Sequence, residues 1–96
     1  MDISPNELIL MRITGEDRPG LTASVTGVLA KYDATILDIG QADIHNTLSL
    51  GILCRTHEKK SGFMMKDLLF KASELNVSVR FYPISKEGYE RWVGMQ

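Results

Sequence analysis

Two apolar stripes with helical spacing, each enclosed by segments of extended pattern, leave this chain very few folds. In the first stripe Leu21, Val25, Val28, Leu29 and Tyr32 recur at i, i+4, i+7, i+8 and i+11. In the second, Met65, Leu68, Leu69, Ala72 and Leu75 share one side of a helix. Ser61 is placed to cap its start and Asn76 to stop it, with His57 to Lys60 as a charged loop before it. Glu7 to Thr14 carries apolar residues on both faces, Ile9, Met11 and Ile13 on one and Leu8 and Leu10 on the other, which suits a central strand. Thr35 to Ile44 is interrupted by Asp38, Gln41 and Asp43, which suits an edge. His45-Asn46 reads as a tight hairpin turn into Thr47 to Arg55, where Leu48, Leu50, Ile52 and Cys54 share a face. Val77, Val79 and Phe81 then alternate with polar residues until Pro83 ends the fourth strand.

The order is β-α-β-β-α-β. Right-handed crossovers place the first and third strands in the centre, the second and fourth at the edges, and both helices on one face. The expected class is therefore α+β, a ferredoxin-like sandwich with a four-stranded antiparallel sheet. Ninety-six residues hold one such unit. The reading divides the chain into a lead over 1–6, the folded domain over 7–83, and an extension over 84–96. Tyr89, Trp92 and Val93 form an apolar cluster in that extension. It is either a linker toward a further domain or a C-terminal helix that folds back onto its own sheet.

Several function classes are excluded at this stage. Eleven basic against twelve acidic side chains give a formal charge of −1, the wrong balance for gripping nucleic-acid phosphates. No apolar run approaches the roughly 18 residues of a membrane-spanning helix, so a cytoplasmic protein is expected. The single cysteine, Cys54, permits no intramolecular disulfide and no multi-cysteine zinc site, and it reads as a small buried hydrophobe. His45 and His57 read as solvated side chains. No metallopeptidase, Walker or nucleophile-elbow motif occurs. No catalytic residue, metal site or cofactor is expected in these residues.

One constellation stands out: Gly15-Glu16-Asp17-Arg18-Pro19-Gly20-Leu21-Thr22, between the first strand and the first helix. It reads as a tight turn, with Asp17 capping the helix and Pro19 pre-set for its first turn. The same geometry would leave the amides of Gly20, Leu21 and Thr22 free at the positive end of the helix dipole, where a carboxylate fits. Asp17 would add a negative group for an ammonium, and Arg18 a forked donor for a second anion. Together these groups suit a zwitterionic amino acid.

Asp17-Arg18-Pro19-Gly20-Leu21 within this element order resembles the ACT domain, a small regulatory module, over about residues 7 to 83. The branch carrying Asp-Arg-Pro-Gly includes phosphoserine phosphatases with N-terminal ACT regions, formyltetrahydrofolate deformylases and glycine-cleavage regulators. The run from Gly15 to Ala30, with Asp38 to Ala42 and Leu48 to Gly51, is most similar to the N-terminal part of bacterial phosphoserine phosphatase. The resemblance implies that this chain binds an amino acid, L-serine or glycine, in a homodimer. Its ligand residues would be Asp17, Arg18, Pro19, Gly20, Leu21, Thr22, Gly40 and Gln41. Its dimer contacts would be Ala23, Gly27, Ile36, Asp38, Ile39 and Gly40. The Asp-x-Asp-x-Thr/Val loop that such a phosphatase uses with Mg²⁺ is absent here, so hydrolysis and Mg²⁺ would belong to a catalytic domain of the parent enzyme. Two alternatives stand beside this: a dimerisation module without ligand, and a free-standing regulator of the glycine-cleavage type.

Overall fold

A computed structural model of the chain describes residues 6–84 and Gly94. Its elements are β1 (Asn6–Glu16), α1 (Leu21–Lys31), β2 (Thr35–Ile44), β3 (Thr47–His57), α2 (Glu58–Leu75) and β4 (Ser78–Ile84). The sheet order is β2-β3-β1-β4, antiparallel throughout, as the crossover rule requires. The extension beyond Ile84 and most of the lead lie outside the described residues.

The core forms because three alternations and two helical stripes meet on one side of the sheet. Ile9, Met11 and Ile13 of β1 and Leu48, Leu50, Ile52 and Cys54 of β3 are buried beneath Leu21, Val25 and Leu29 of α1 and Met64 and Leu68 of α2. Each fully buried aliphatic side chain contributes roughly 1.5–3 kcal/mol relative to exposure. β2 is exposed along nearly its whole length, which fits its polar pattern and edge position.

Several boundaries differ from expectation, for local reasons. β1 and β3 each run two residues further, to Glu16 and His57, because they pair with each other from Asn6↔His57 to Glu16↔Thr47. α2 begins at Glu58 rather than near Ser61. The His57 ring is its cap, Nδ1 accepting from the Lys59 amide at 3.0 Å, and Glu58 complements the dipole in the first turn. Ser61 is buried inside the helix instead, its hydroxyl donating to the Glu58 carbonyl at 3.0 Å. The buried stripe of α2 is turned toward Met64, with Met65 half-buried and Leu69 52% exposed. β4 passes through Pro83, which pairs with Ile9; an edge strand tolerates the missing N–H.

Other punctuation is as expected. Asn76 stops α2 in the left-handed region, at φ 57°, with the Val77 amide donating to Ala72 at 2.9 Å. His45 and Asn46 both have positive φ, 50° and 64°, as a type I′ hairpin turn demands.

Candidate functional site

The β1–α1 loop is built around a type II turn. Pro19 supplies the fixed φ of its first central position, and Gly20, at φ 82° and ψ 0°, its second. The Leu21 amide donates back to the Arg18 carbonyl at 3.2 Å. This corrects two expectations. Pro19 lies in the turn before α1, not in its first helical turn, and the Leu21 amide is already occupied. The Leu21 side chain is buried in the core. Asp17 does not cap α1 either; Gly20 holds the N-cap position without a side-chain bond. The amides of Gly20, Thr22 and Ala23 have no backbone partner among the described residues, so the anion-accepting character of the helix start survives.

Long-range contacts bring further groups to this corner. The Asp17 amide donates to the Asn46 carbonyl at 2.8 Å, which ties the loop to the β2–β3 turn. Thr22 Oγ1 lies 3.5 Å from Gln41 Oε1, and Gln41 Nε2 lies 3.5 Å from Asp43 Oδ1. Asp43 lies close enough to Asp17 to perturb it. Hydrogen bonding with the Asp43 carboxyl raises the Asp17 pKa above the ordinary aspartate range, and loss of solvent and the like charge of Asp43 act in the same direction. Asp17, Thr22, Gln41 and Asp43 thus form one polar corner. Sequence reasoning placed Asp43 only as an edge-strand charge. Its two-residue spacing from Gln41, which puts both on one strand face, was the available signal.

Arg18 and Pro19 are exposed on the same loop. Gly40 is placed differently. It pairs with Gly51 on the sheet face away from the helices, whereas Gln41 pairs with the buried Leu50 on the helix side. The corner is open: residues 16–20, Gln41 and Asp43 are all exposed. Such a half-site offers a carboxylate-accepting amide cluster and an ammonium-accepting carboxyl pair, but no wall to exclude water.

The residues expected at a dimer contact fall into two groups. Ile36, Asp38, Ile39 and Gly40 are exposed along the edge strand β2. Leu37 is bulged out of the pairing there, and Asp38 Oδ1 accepts from the Ile39 amide at 3.0 Å, which blunts that stretch of edge. Ala23 and Gly27 instead line a groove of about 420 Å³ with Asp67 and Phe70 of α2. Both are exposed.

Nothing in the described residues gathers three or more His, Cys, Asp or Glu side chains as a metal site, and no described helix is long and apolar enough to cross a membrane. Cys54 is buried and free, and burial pushes its thiol up to about 11, which disfavours the thiolate.

Comparison with known proteins adds four findings. The profile of a family described as the ACT domain matches residues 7–82. A UPF0237 protein of Methanocaldococcus jannaschii is 33% identical over 73 residues, which cover 74% of this chain and 81% of that protein. A phosphoserine phosphatase of Mycobacterium tuberculosis is 38% identical over 45 residues, 47% of this chain but 11% of the phosphatase. Among solved structures, a protein described as a glycine cleavage system transcriptional repressor superposes with a TM-score of 0.82 at 17% identity, over 85% of this chain and 48% of that one. That last likeness is one of fold.

Proposed function

The chain belongs to the ACT-domain family, and from that membership we propose that it is a regulatory module that takes a small amino acid, L-serine or glycine, at the β1–α1 corner of a homodimer. The observation that carries this reading is the meeting of the unpartnered Gly20 and Thr22 amides with the Asp17–Asp43 carboxyls in one exposed corner. The amides suit the ligand carboxylate, and the carboxyls suit its ammonium. Gln41, within reach of both Thr22 and Asp43, would set the distance between the two ends. A second copy packed along β2 would supply the wall that the corner lacks.

Two settings for such a module are supported by different relatives. The phosphatase match of 45 residues supports an N-terminal regulatory region ahead of a hydrolase domain, which would carry the Mg²⁺ chemistry. The archaeal relative, 81% of which this chain covers, supports a free-standing ACT regulator. The reading frame beyond codon 96 separates them: an Asp-x-Asp-x-Thr loop downstream identifies the phosphatase.

Isothermal titration of the purified dimer with L-serine, glycine and larger amino acids tests the ligand reading. Saturable binding of one small amino acid, abolished by Asp17→Ala without loss of fold, is the expected result. Silence from all of them at millimolar concentration, with sedimentation still reporting a dimer, leaves an assembly module and ends the ligand proposal.

A further inference from the structure

α2 carries apolar residues on its outward side as well as on its inward one. Met64, Leu68 and Ala72 are buried in the core, while Phe63 and Phe70, one heptad apart, stand on the opposite ridge at 67% and 60% exposure. Leu69, 52% exposed, flanks them. Lys59, Phe63, Lys66 and Phe70 fall at i, i+4, i+7 and i+11, a single stripe roughly 16 Å long. None of these residues belongs to the β1–α1 corner or to the β2 edge. Packing within the described residues gives no reason for two phenylalanines there, and exposed aromatic rings grouped on one ridge mark a contact surface.

The charges of the helix layer are unevenly paired. Of its five lysines, Lys31 pairs with Asp67 at 3.0 Å, Lys60 with Asp33 at 2.9 Å and Lys71 with Glu74 at 3.5 Å. Lys59 and Lys66 are exposed and form no ion pair among the described residues. These two are the lysines of the phenylalanine ridge. Beside the ridge, Phe70 walls the groove of about 420 Å³ against Gly27 and Val28 of α1. A Cβ added at Gly27 would meet nothing within 4 Å, so the groove is open on that side. The Lys31–Asp67 and Lys71–Glu74 pairs that also line it are already neutralised, which leaves Lys59 and Lys66 to set the charge of the surface.

We propose that this ridge and groove dock an acidic amphipathic helix of a partner protein, its apolar side chains on Phe63 and Phe70 and in the groove, its carboxylates on Lys59 and Lys66. Charge selects the occupant. A second copy seated ridge to ridge would bring the unpaired lysines of both chains together, a like-charge contact that opposes association. An anionic membrane surface recruits clusters of about four to eight basic residues, and two lysines on a chain of formal charge −1 fall short of that. An acidic helix neutralises both ammonium groups and covers both rings.

Fluorescence anisotropy of the 96-residue chain with two labelled helical peptides tests this. The peptides share one apolar stripe; one carries Glu beside it and the other Lys. The Glu peptide should bind saturably and the Lys peptide should not. Phe63→Ser and Phe70→Ser, both at exposed positions, should each weaken the Glu peptide roughly tenfold while circular dichroism stays native. Lys59→Glu combined with Lys66→Glu should exchange the preference, so that the Lys peptide binds instead. Equal binding of both peptides, binding of neither, or a Glu preference that survives the charge reversal overturns the proposal. So does Glu-peptide binding untouched by the two serine variants. Sedimentation in which Phe63→Ser dissociates the protein gives the ridge to a second copy and overturns it too. Phe63-dependent pelleting with phosphatidylserine vesicles, the Glu peptide staying unbound, does the same in favour of a membrane.

Discussion

The Asp17 amide donates to the Asn46 carbonyl across 2.8 Å, so the loop that starts α1 is tied to the turn that joins β2 to β3. That turn has little freedom of its own, because His45 and Asn46 both sit at positive φ. Asn accepts that region readily, and a β-branched residue does not. Asn46→Val should therefore cost about 1–2 kcal/mol and release the Asp17 amide, which would exchange faster with deuterium. Asn46→Gly should leave both melting temperature and protection close to those of the unmodified protein. An Asn46→Val protein with full Asp17 protection would show that the loop holds its shape without the turn.

Asp17 and Asp43 carry a cost in the folded protein. The folded-state pKa of Asp17 is raised, chiefly by the Asp43 carboxyl, so its contribution to stability is fully present below the unfolded aspartate value and is lost as pH rises through the folded value. At neutral pH the pair therefore opposes folding. Asp43→Asn should raise the melting temperature near pH 7 and return the Asp17 titration, followed by carboxyl NMR, toward its ordinary range. On the proposed ligand reading, the same variant should also weaken capture of the amino acid's ammonium. A lower melting temperature at pH 7 would mean that the two carboxyls are not in contact.

Gly15 is required for a different reason from Gly20. A Cβ at position 15 would lie 2.6 Å from Val77 Cγ1 and 3.1 Å from the Val77 Cα, so the end of β1 presses on the chain leaving α2. Gly15→Ala should destabilise by about 1–3 kcal/mol as the overpacked side chain pushes back. Val77→Ala in the same protein should recover part of that loss, since the closest atom is in the Val77 side chain. Denaturant unfolding of the single and double variants measures the coupling, and strict additivity would remove the clash as its cause.

The parts of this fold that were legible in the sequence are those set by periodicity. Ile9, Met11 and Ile13 alternate, Leu21, Val25 and Leu29 recur at helical spacing, and burial follows both patterns. What was not legible depends on contacts across the sheet or on a choice between local geometries. Pro19-Gly20 serves equally as the opening of a helix or as a type II turn, and only the Leu21-to-Arg18 hydrogen bond decides. His57 looked like a loop residue because nothing in its neighbours announces that a ring nitrogen will accept the Lys59 amide. Asp43 joins the corner because the Asp17–Asn46 bond folds the loop onto the turn, a contact between residues distant in sequence.

The two helices are joined by Asp67, which accepts from the Tyr32 hydroxyl and from Lys31 Nζ, the latter at 3.0 Å. The hydroxyl, and then the ammonium, hold Asp67 below the usual aspartate range, while Asp67 holds Tyr32 above the usual phenol range. The two shifts give limits of opposite sign. Asp67 contributes stability that is present above its unfolded value and lost as pH falls through its lower folded value. Tyr32 contributes stability that is present below its unfolded value and lost as pH rises through its higher folded one. The latch is thus fully engaged only between the acid and alkaline limits. Tyr32→Phe should lower the melting temperature by a constant amount across that plateau, and the gap to the unmodified protein should close at both ends. Added salt should weaken the exposed Lys31 contact more than the hydroxyl contact, because exposed ion pairs are screened. A gap that persists unchanged below the aspartate range would assign the stabilisation to packing of the Tyr32 ring rather than to its hydroxyl.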